Sequence, residues 1–470
     1  MLPVPILRNQ ISRYCLVSSR VRVVPLISPR VVRIHARDGG GPMNNGPLAG
    51  VRILEFSQIV AGPFAGVALA QLGADVVKVE PLEGEGRRNT GAVVPNEGKY
   101  FQSLNIGKRS LTVDLSRPEG QALIHRIIPT FDVVISNYRV GVPKKLNIDY
   151  PTLSKLRPGL IYATITGFGE SGPYATRAGS DIVAQAYSGL MAAEGKVDEY
   201  GSPASISSTT MADRGTGLAA AMGIIAALYH RASTGEGQEI NVSLIQTALE
   251  LLSSQVMREP VQDATLRDPV IAQLAERRAA GASYQELLDV RRGALRGRTA
   301  QRLYYGGYGT AEGALVLGAL TKQNREQIRA IIGMTDDLDD PDYDSNAPGA
   351  AERFEAWHEK VQAILLTKTA KEWVELLLSN KVPASEVNIA EEMSEDPHVV
   401  ATEMMVDLVH PITGPQKVVG PLVKMSVTKT GVQRSAPPLG YHTREVLAEA
   451  GISETEIGVL IEMGVVGDHA

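Results

Sequence analysis

The sequence predicts an α/β fold built around a parallel sheet, and three observations lead to this prediction. A strand, a turn, a helix and a second strand follow one another between residues 51 and 80, which is the repeating unit of parallel sheets. More apolar strands come after this unit, with a helical stretch between the first two of them. The chain has 470 residues, of which 44% are apolar and 21% charged, so it can form two lobes with sizeable cores.

The first unit can be predicted element by element. A buried strand is expected at 51–56, a turn at 57–63, a helix of small apolar residues at 64–72, and a second strand at 74–80 that ends in Glu80. This order is typical of nucleotide-binding sheets. The GxGxxG fingerprint is missing from the turn, so the sequence does not support a dinucleotide ligand.

The later elements follow in chain order. A long helix is expected at about 210–232, a helical and arginine-rich segment at 255–302, and a glycine-punctuated hairpin at 304–318 that opens a second lobe. The other predicted elements are strands at 111–115, 132–138 and 160–167, a helix at 119–128, and a strand after the turn at Gly235.

Two charged segments of the second half allow more than one interpretation. Arg291, Arg292, Arg296 and Arg298 lie close together. Such a cluster is usually a solvated face, and an anion site is the alternative. The acidic stretch 336–344 lacks the residue order and the central glycine of an EF-hand, so we expect it to face solvent rather than to bind calcium.

Composition excludes several classes of function. The net charge of -5 indicates no attraction to nucleic acid or to an anionic membrane, and no apolar run has the length of a transmembrane helix. Cys15 is the only cysteine, which excludes an intrachain disulfide and a thiolate metal cluster. The eight histidines lie far apart, so no metal site is predicted. We therefore expect a cytoplasmic protein with no metal and no nucleic-acid or membrane partner.

Residues 1–45 differ in composition from the rest of the chain and are predicted to be an arginine-rich N-terminal extension. Seven arginines and no acid precede Asp38. This composition resembles a mitochondrial transit peptide, which would place the protein in the mitochondrial matrix. The alternative, which we favour, is that Met43 is the true start.

Asp213 is the only acidic residue between Gly201 and Gly235, and a run of small apolar residues follows it. An aspartate at the start of a helix most often caps the helix or complements its dipole. It could also be a nucleophile, because small neighbouring residues let a bulky substrate approach. The hydroxyl residues 207–210 could cap the helix equally well, which weakens the first interpretation.

The chain closely resembles the class III coenzyme A transferases, the family of formyl-CoA transferase, the carnitine CoA-transferase and the bile-acid-inducible CoA-transferases. The resemblance covers residues 46–466 with the motifs in the same order. It rests on Gly50-Val-Arg-Ile-Leu-Glu-Phe-Ser-Gln-Ile-Val-Ala-Gly-Pro, Leu72-Gly-Ala-Asp-Val-Val-Lys-Val-Glu-Pro, Asn105-Ile-Gly-Lys-Arg-Ser-Leu-Thr-Val-Asp-Leu, Gly167-Phe-Gly-Glu-Ser-Gly-Pro, Ala184-Gln-Ala-Tyr-Ser-Gly-Leu-Met, Ala212-Asp-Arg-Gly-Thr-Gly and Pro438-Leu-Gly-Tyr-His-Thr.

The resemblance implies an interlaced homodimer in which each chain forms a ring threaded through the other. It implies a large Rossmann-like, CoA-binding domain whose first part is 46–254. A smaller α/β domain with its linkers would occupy 255–395. The C-terminal segment 396–470 would return to the large domain.

The resemblance also implies the chemistry of Asp213. In this family an aspartate at the matching position attacks a donor thioester, forms a mixed anhydride and then carries CoA as an aspartyl thioester until the acceptor acid reverses these steps. Coenzyme A is thus a substrate, in the form of an acyl-CoA, and no cofactor is bound permanently. Gly215 and Gly217 would leave backbone N–H groups open near the developing oxyanion.

Asp181 matches a position at which the transferases carry an assisting acid, and an N-cap is the alternative. In related racemases the matching aspartate is an acid/base preceded by histidine. Here Ser180 precedes it, and no histidine lies between His125 and His230. An α-methylacyl-CoA racemase is therefore the runner-up. A catalytically silent CoA-binding subunit, which would support a related second subunit, is a further alternative.

The CoA contacts implied by the resemblance are the backbone at Val60 and Ala61, the pair Asn137 and Tyr138, and Lys145, which replaces an arginine of some relatives. Formyl-CoA transferase has a glutamine at the first of these positions and an adenine-stacking arginine at the position of Pro81, so we do not expect formate or oxalate as substrates. Arg87 and Arg88 could replace the lost phosphate contact, or could be solvated loop charges. A succinyl-CoA-type donor and a dicarboxylate or hydroxy-dicarboxylate acceptor fit the arginine-rich middle of the chain.

Overall fold

The structure is a computed structural model that describes residues 46–295, 300–345 and 347–468. The predicted N-terminal extension, with Cys15 and Met43, lies outside these residues, as do Arg296 and Arg298 of the arginine cluster.

Among the described residues, six strands form a central sheet in which every neighbouring pair is parallel. The spatial order is β3-β2-β1-β4-β5-β6, the order of doubly wound sheets. The α/β class with a parallel central sheet is therefore confirmed. The strands are β1 (Arg52–Phe56), β2 (Asp75–Glu80), β3 (Arg109–Thr112), β4 (Val133–Ser136), β5 (Ile161–Thr166) and β6 (Glu239–Ser243).

The inner strands are buried on both faces, which explains their nearly continuous apolar sequences. Successive residues of β1 point to opposite faces: Ile53 packs into one core and Leu54 into the other. Strand β6 lies at the edge and is only partly buried. The sheet therefore separates two hydrophobic cores.

Helices cover both faces of this sheet and also occur through the rest of the described chain. They are α1 (Ala61–Gln71), α2 (Lys99–Ser103), α3 (Pro118–Ile127), α4 (Val142–Lys145), α5 (Tyr150–Leu156), α6 (Asp181–Ser188), α7 (Leu190–Glu194), α8 (Met211–Thr234), α9 (Leu244–Glu250), α10 (Ser253–Val256), α11 (Pro260–Asp263), α12 (Arg267–Ala279), α13 (Tyr284–Leu295), α14 (Ala300–Tyr304), α15 (Lys322–Ile332), α16 (Ala350–Leu365), α17 (Ala370–Ser379), α18 (Pro397–Ala401), α19 (Thr443–Glu449) and α20 (Glu454–Glu462). Short 3-10 turns lie at Gly86–Asn89, Ile128–Thr130 and Ala390–Glu395.

Two boundaries differ from the prediction for physical reasons. Helix α1 begins three residues earlier than predicted, because Pro63 lies in its first turn, where a missing N–H does no harm. Strand β3 begins two residues earlier, because Arg109 and Ser110 are polar yet buried. Their burial depends on partners that a hydrophobic pattern cannot reveal.

The C-terminal residues pack on the first half of the chain. Val446, Leu447 and Ile457 of α19 and α20 belong to the same core as Leu54 of β1. Val466 forms an antiparallel bridge with Val113, just beyond β3. The last segment of the chain thus covers one face of the central sheet.

A third core forms around an antiparallel sheet of β7 (Tyr305–Gly309), β8 (Ala314–Gly318) and β9 (Ala384–Glu386). The first two strands are the predicted hairpin. A separate hairpin consists of β10 (Met405–His410) and β11 (Gly414–Val419).

The acidic stretch beside the third core is not wholly solvent-facing, so that expectation is wrong for two of its residues. The Asp336 side chain is fully buried, with Arg329 at 2.7 Å and the Tyr304 hydroxyl at 2.5 Å. Arg325 binds Asp339 at 2.6 Å. These aspartates anchor the loop to α15, because a buried carboxylate needs a charged or hydrogen-bonding partner.

Helices α1 and α8 pack closely through a glycine. A Cβ atom added at Gly217 would lie 2.7 Å from the Ala61 carbonyl oxygen, which is backbone and cannot rotate away. We therefore expect Gly217→Ala to lower the free energy of unfolding by about 1–3 kcal/mol through overpacking, as measured by urea denaturation. The control is Gly458→Ala in α20, where nothing lies within 4 Å and helix propensity predicts no loss.

Candidate active site

Two buried aspartates meet where α6 and α8 begin. Asp213 lies in the first turn of α8, and Asp181 is the first residue of α6. Their exposed fractions are 9% and 7%. The backbone N–H of Asp213 donates to Oδ1 of Asp181 at 3.1 Å. The structure thus brings together the two acids that the sequence singled out.

Gln185 fixes the second acid. Its Nε2 donates to Oδ2 of Asp181 at 2.6 Å, and its Oε1 accepts the Ile206 N–H at 2.9 Å. Asp181 therefore caps α8, by accepting an N–H of that helix's first turn, rather than its own helix. Asp181 is thus not the N-cap of its own helix, where Ser180 has that position, and the N-cap alternative is wrong for α6.

The carboxylate of Asp213 has no hydrogen-bond partner within the described ranges. Thr210, the N-cap residue, does not cap α8 with its side chain, and its buried hydroxyl is unpaired among the described residues. Burial, and then the charge of Asp181, raise the pKa of Asp213 to about 7, while Arg87 opposes the shift. A buried, unpaired carboxylate with a pKa near neutrality is a recognised sign of a functional group.

The glycines that follow Asp213 serve packing. Gly215 and Gly217 lie inside α8, where the helix's own hydrogen bonds use backbone N–H groups. A Cβ at Gly215 would lie 2.5 Å from Cγ2 of Thr247. The idea that these two residues leave open N–H groups is therefore not supported, and the free donors of α8 are in its first turn.

The ionised form of Asp213 should destabilise the fold. Below pH 3.8 Asp213 is protonated in both the folded and the unfolded protein and does not affect stability. Between pH 3.8 and the folded-state pKa of about 7, the folded protein keeps a proton that the unfolded protein loses, so stability falls as the pH rises. Above that pKa the loss of stability is complete. We expect Asp213→Asn to raise the free energy of unfolding by up to about 4 kcal/mol at pH 8 and little at pH 4. Urea denaturation at both pH values tests this, with exposed Asp407→Asn as the control.

The loop between β1 and α1 forms a second part of the candidate site. Asn137 holds it from the end of β4, because its side chain accepts from the Gln58 N–H at 3.0 Å and donates to the Gln58 carbonyl at 2.7 Å. Ile59 has a φ of 72° and is 45% exposed. A branched residue in this left-handed conformation is strained, which is common at functional sites.

The other residues predicted to contact CoA lie at the same edge of the sheet. Val60 is the N-cap residue of α1, Ala61 is its first residue, and both are buried. Tyr138 is half-buried, and burial raises its pKa. Lys145 is the last residue of α4 and is exposed. Asn137 is thus tied to the loop that ends at Val60, and Lys145 lies on an exposed helix after β4.

A buried network of charged side chains supports the β1–α1 loop. Lys78 donates to the Ser57 carbonyl at 2.6 Å and lies 3.1 Å from Glu85. Lys108 lies 2.9 Å from Glu55, and burial lowers its pKa to about 8. This network was not predicted from the sequence. Its signal was the presence of charged residues inside otherwise apolar strands.

The two arginines after β2 have different environments. Arg88 is fully buried; its guanidinium binds both oxygens of Glu80 at 2.7 Å and donates to the Pro437 carbonyl at 3.2 Å. Because Arg88 is buried and paired with Glu80, it is neither a solvated loop charge nor a substitute for the lost phosphate contact. Both expectations from the sequence were wrong for Arg88. Arg87 is half-buried and stacks on Tyr100.

The described part of the arginine cluster has a structural role. Arg291 donates to the Ala193 carbonyl at 3.2 Å, and Arg292 donates to the Gly195 carbonyl. These carbonyls lie at the end of α7, which follows the helix of Asp181. Both guanidinium groups thus join α13 to the segment that leads to Asp213.

No group of side chains within the described ranges has the composition of a metal site. The same part of the chain contains no helix that combines the length and the apolar sequence needed to cross a membrane.

Comparison with known proteins found matches over most of the chain. The sequence model of CoA-transferase family III matches residues 48–443. The succinate–glutarate CoA-transferase of Agrobacterium fabrum is 35% identical over 87% of this chain and 96% of its own length. The human succinyl-CoA:glutarate CoA-transferase is 31% identical over 91% and 92%. A CAIB/BAIF family protein from Brucella suis has a similar crystal structure, with a TM-score of 0.68, 29% identity, and coverage of 86% of this chain and 100% of that one.

Proposed function

Because the chain belongs to CoA-transferase family III and is a CoA-transferase, we propose that it moves coenzyme A from succinyl-CoA or a similar acyl-CoA to a free dicarboxylic acid. The observation that carries this proposal is the buried, unpaired carboxylate of Asp213 beside Asp181. The names of the similar transferases, which act on succinyl-CoA, succinate and glutarate, support the choice of substrates.

The first half of the proposed reaction frees the donor acid. A carboxylate oxygen of Asp213 attacks the thioester carbon, the C–S bond breaks, and CoA leaves as a thiolate. The thiolate then attacks the carbonyl carbon of Asp213 in the resulting mixed anhydride. The anhydride C–O bond breaks, the donor leaves as a carboxylate, and CoA remains on Asp213 as a thioester.

The second half repeats these steps in reverse with the acceptor. Its carboxylate attacks the aspartyl carbonyl carbon, and the C–S bond breaks to release the thiolate. The thiolate attacks the acceptor carbonyl of the new anhydride, which regenerates the carboxylate of Asp213. Each half therefore exchanges one C–S and one C–O bond, and no oxidant, metal or proton reservoir is needed.

Asp181 acts in this proposal as the assisting acid. It holds the first turn of α8 through the Asp213 N–H, so the position of the nucleophile depends on it. The positive end of the α8 dipole favours the negative charge that develops on the oxyanion.

We propose that the β1–α1 loop and its neighbours bind CoA. The backbone at Val60 and Ala61 would lie along the thioester end, with Asn137 and Tyr138 beside the pantetheine. Lys145 is exposed and is proposed to contact a phosphate. The link from Asn137 to Gln58 supports a shared role for the loop and this pair.

Assembly and location are also proposals. We propose the interlaced homodimer of the family, with domains at 46–254 and 255–395, a returning segment at 396–470, and a cytoplasmic location. An apolar groove between α1 and α8, lined by Leu218, Met222 and Leu422, supports the burial of this face by a second chain. Light scattering of the purified protein tests the dimer, and a monomer would contradict it.

The function is tested by incubation with succinyl-CoA and a panel of carboxylic acids, followed by mass spectrometry of the acyl-CoA products. We expect succinate release and a new dicarboxyl-CoA. Borohydride added with the donor should reduce an aspartyl-CoA thioester at position 213. Deuterium incorporation at the α-carbon of a branched acyl-CoA, without transfer, would instead indicate racemisation and contradict the proposal.

A further inference from the structure

Arg87 lies in a turn whose neighbouring residues are anchored by hydrogen bonds. Its neighbour Arg88 is anchored by Glu80 inside the protein. Beyond them, the Asn89 side chain accepts the Asn96 N–H at 2.8 Å, and the Gly98 N–H donates to the Arg88 carbonyl at 2.8 Å. These contacts anchor the backbone of the turn Gly86–Asn89 on both sides of Arg87.

The Arg87 guanidinium has no carboxylate partner among the residues that the structure describes. It lies over the ring of Tyr100, whose centre is 5.2 Å away. The side chain is half-buried, so part of it remains accessible to a substrate. Stacking on an aromatic ring limits the side chain's freedom, and the planar fork matches a carboxylate in two parallel hydrogen bonds.

The turn of Arg87 lies at the same edge of the sheet as Asp213. Glu85, which begins it, contacts Lys78, and Lys78 holds the Ser57 carbonyl of the β1–α1 loop. That loop leads into Ala61, whose carbonyl oxygen touches α8 at Gly217, one helical turn after Asp213. The positive charge of Arg87 also opposes the rise in the pKa of Asp213 that burial and Asp181 cause.

We infer that Arg87 binds the carboxylate of the acid substrate that does not react, and thereby selects dicarboxylic over monocarboxylic acids. This inference rests on the proposed function. The unreacting carboxylate stays ionised through every step, so a permanently charged guanidinium suits it. A CoA phosphate is a poorer fit, because the pantetheine arm separates the phosphates from the thioester and hence from Asp213.

The test compares Arg87→Gln with the unaltered enzyme, using glutarate and pentanoate as acceptors of equal chain length. In a ping-pong reaction, kcat/KM for the acceptor reports only the second half reaction. We expect kcat/KM for glutarate to fall about 10- to 100-fold and kcat/KM for pentanoate to change less than about twofold. Arg87→Lys should lose less than Arg87→Gln, because it keeps the charge without the fork.

Arg353→Gln is the matched control, because Arg353 also lies over a tyrosine ring, but at the third core. It should leave both values unchanged. The inference would be overturned if Arg87→Gln lowered kcat/KM equally for both acids, which leaves the glutarate-to-pentanoate ratio of kcat/KM unchanged. A loss confined to KM for the CoA donor would also overturn it. Failure of the proposed function looks different: the unaltered enzyme would then transfer CoA to none of the acids.

Discussion

Asp213→Ala is expected to reduce CoA transfer on the order of 10³-fold or more, because no other group can take its place in the two covalent intermediates. The loss should appear in kcat, since the carboxylate forms bonds rather than holding the substrate. Initial rates of succinate release from succinyl-CoA measure it. Asp213→Glu keeps the carboxylate but moves it by one methylene, so a loss of about 10²-fold is expected.

Two further variants separate the roles of the acids. Asp181→Asn keeps an oxygen that can accept the Asp213 N–H, so we expect a smaller loss than for Asp213→Ala. Exposed Asp407→Ala should have no effect. If Asp213→Ala retained more than about a tenth of the activity, or if borohydride labelled a different residue, Asp213 would not be the nucleophile.

Arg88→Met is expected to lower the free energy of unfolding by about 3–5 kcal/mol, because it leaves the buried Glu80 without its counter-charge. Burial raises the pKa of Glu80, but the hydrogen bonds and charge of Arg88 outweigh it and hold that pKa below its usual range. The pair therefore stabilises the fold above the ordinary carboxylate pKa, and this contribution is lost as pH falls. Urea denaturation at pH 7.5 and pH 4 should show a smaller deficit at the lower pH.

The control for this prediction is Arg126→Met. Arg126 also binds both oxygens of a glutamate, Glu456, but both side chains are substantially exposed. Exposed ion pairs contribute little to stability, so this variant should lose only a small fraction of what Arg88→Met loses. Similar losses for the two variants would show that burial does not determine the strength of the pair.

The sheet was predictable because its strands are apolar on both faces. Residues 51–80 contain a complete strand–helix–strand unit, and the structure contains β1, α1 and β2 there. Polar residues inside strands limited the prediction. Arg109 and Ser110 can be buried in β3 because their side chains donate hydrogen bonds to Asp75 and Glu80. Such partners are distant in sequence and cannot be predicted from a local pattern.

The candidate site was predictable only in part. The resemblance to CoA-transferases singled out Asp213 and Asp181, which spacing alone could not place side by side. Their contact depends on Gln185, which fixes Asp181, and on the path of the loop through Ile206. The prediction for the acidic stretch was wrong for a related reason. Asp336 and Asp339 form ion pairs with Arg329 and Arg325, and these partners allow the two aspartates to be buried fully or in part.

The packing of the C-terminal segment on the central sheet also determines when this core can form during translation. Val446, Ile457 and Val466 cover a core that contains Leu54 of the first strand, so that core cannot close until these three residues have left the ribosome. Until then the growing chain exposes an apolar sheet face. Molecular chaperones that shield nascent chains are therefore expected to bind this protein during translation, and to release it only after the last helix has emerged.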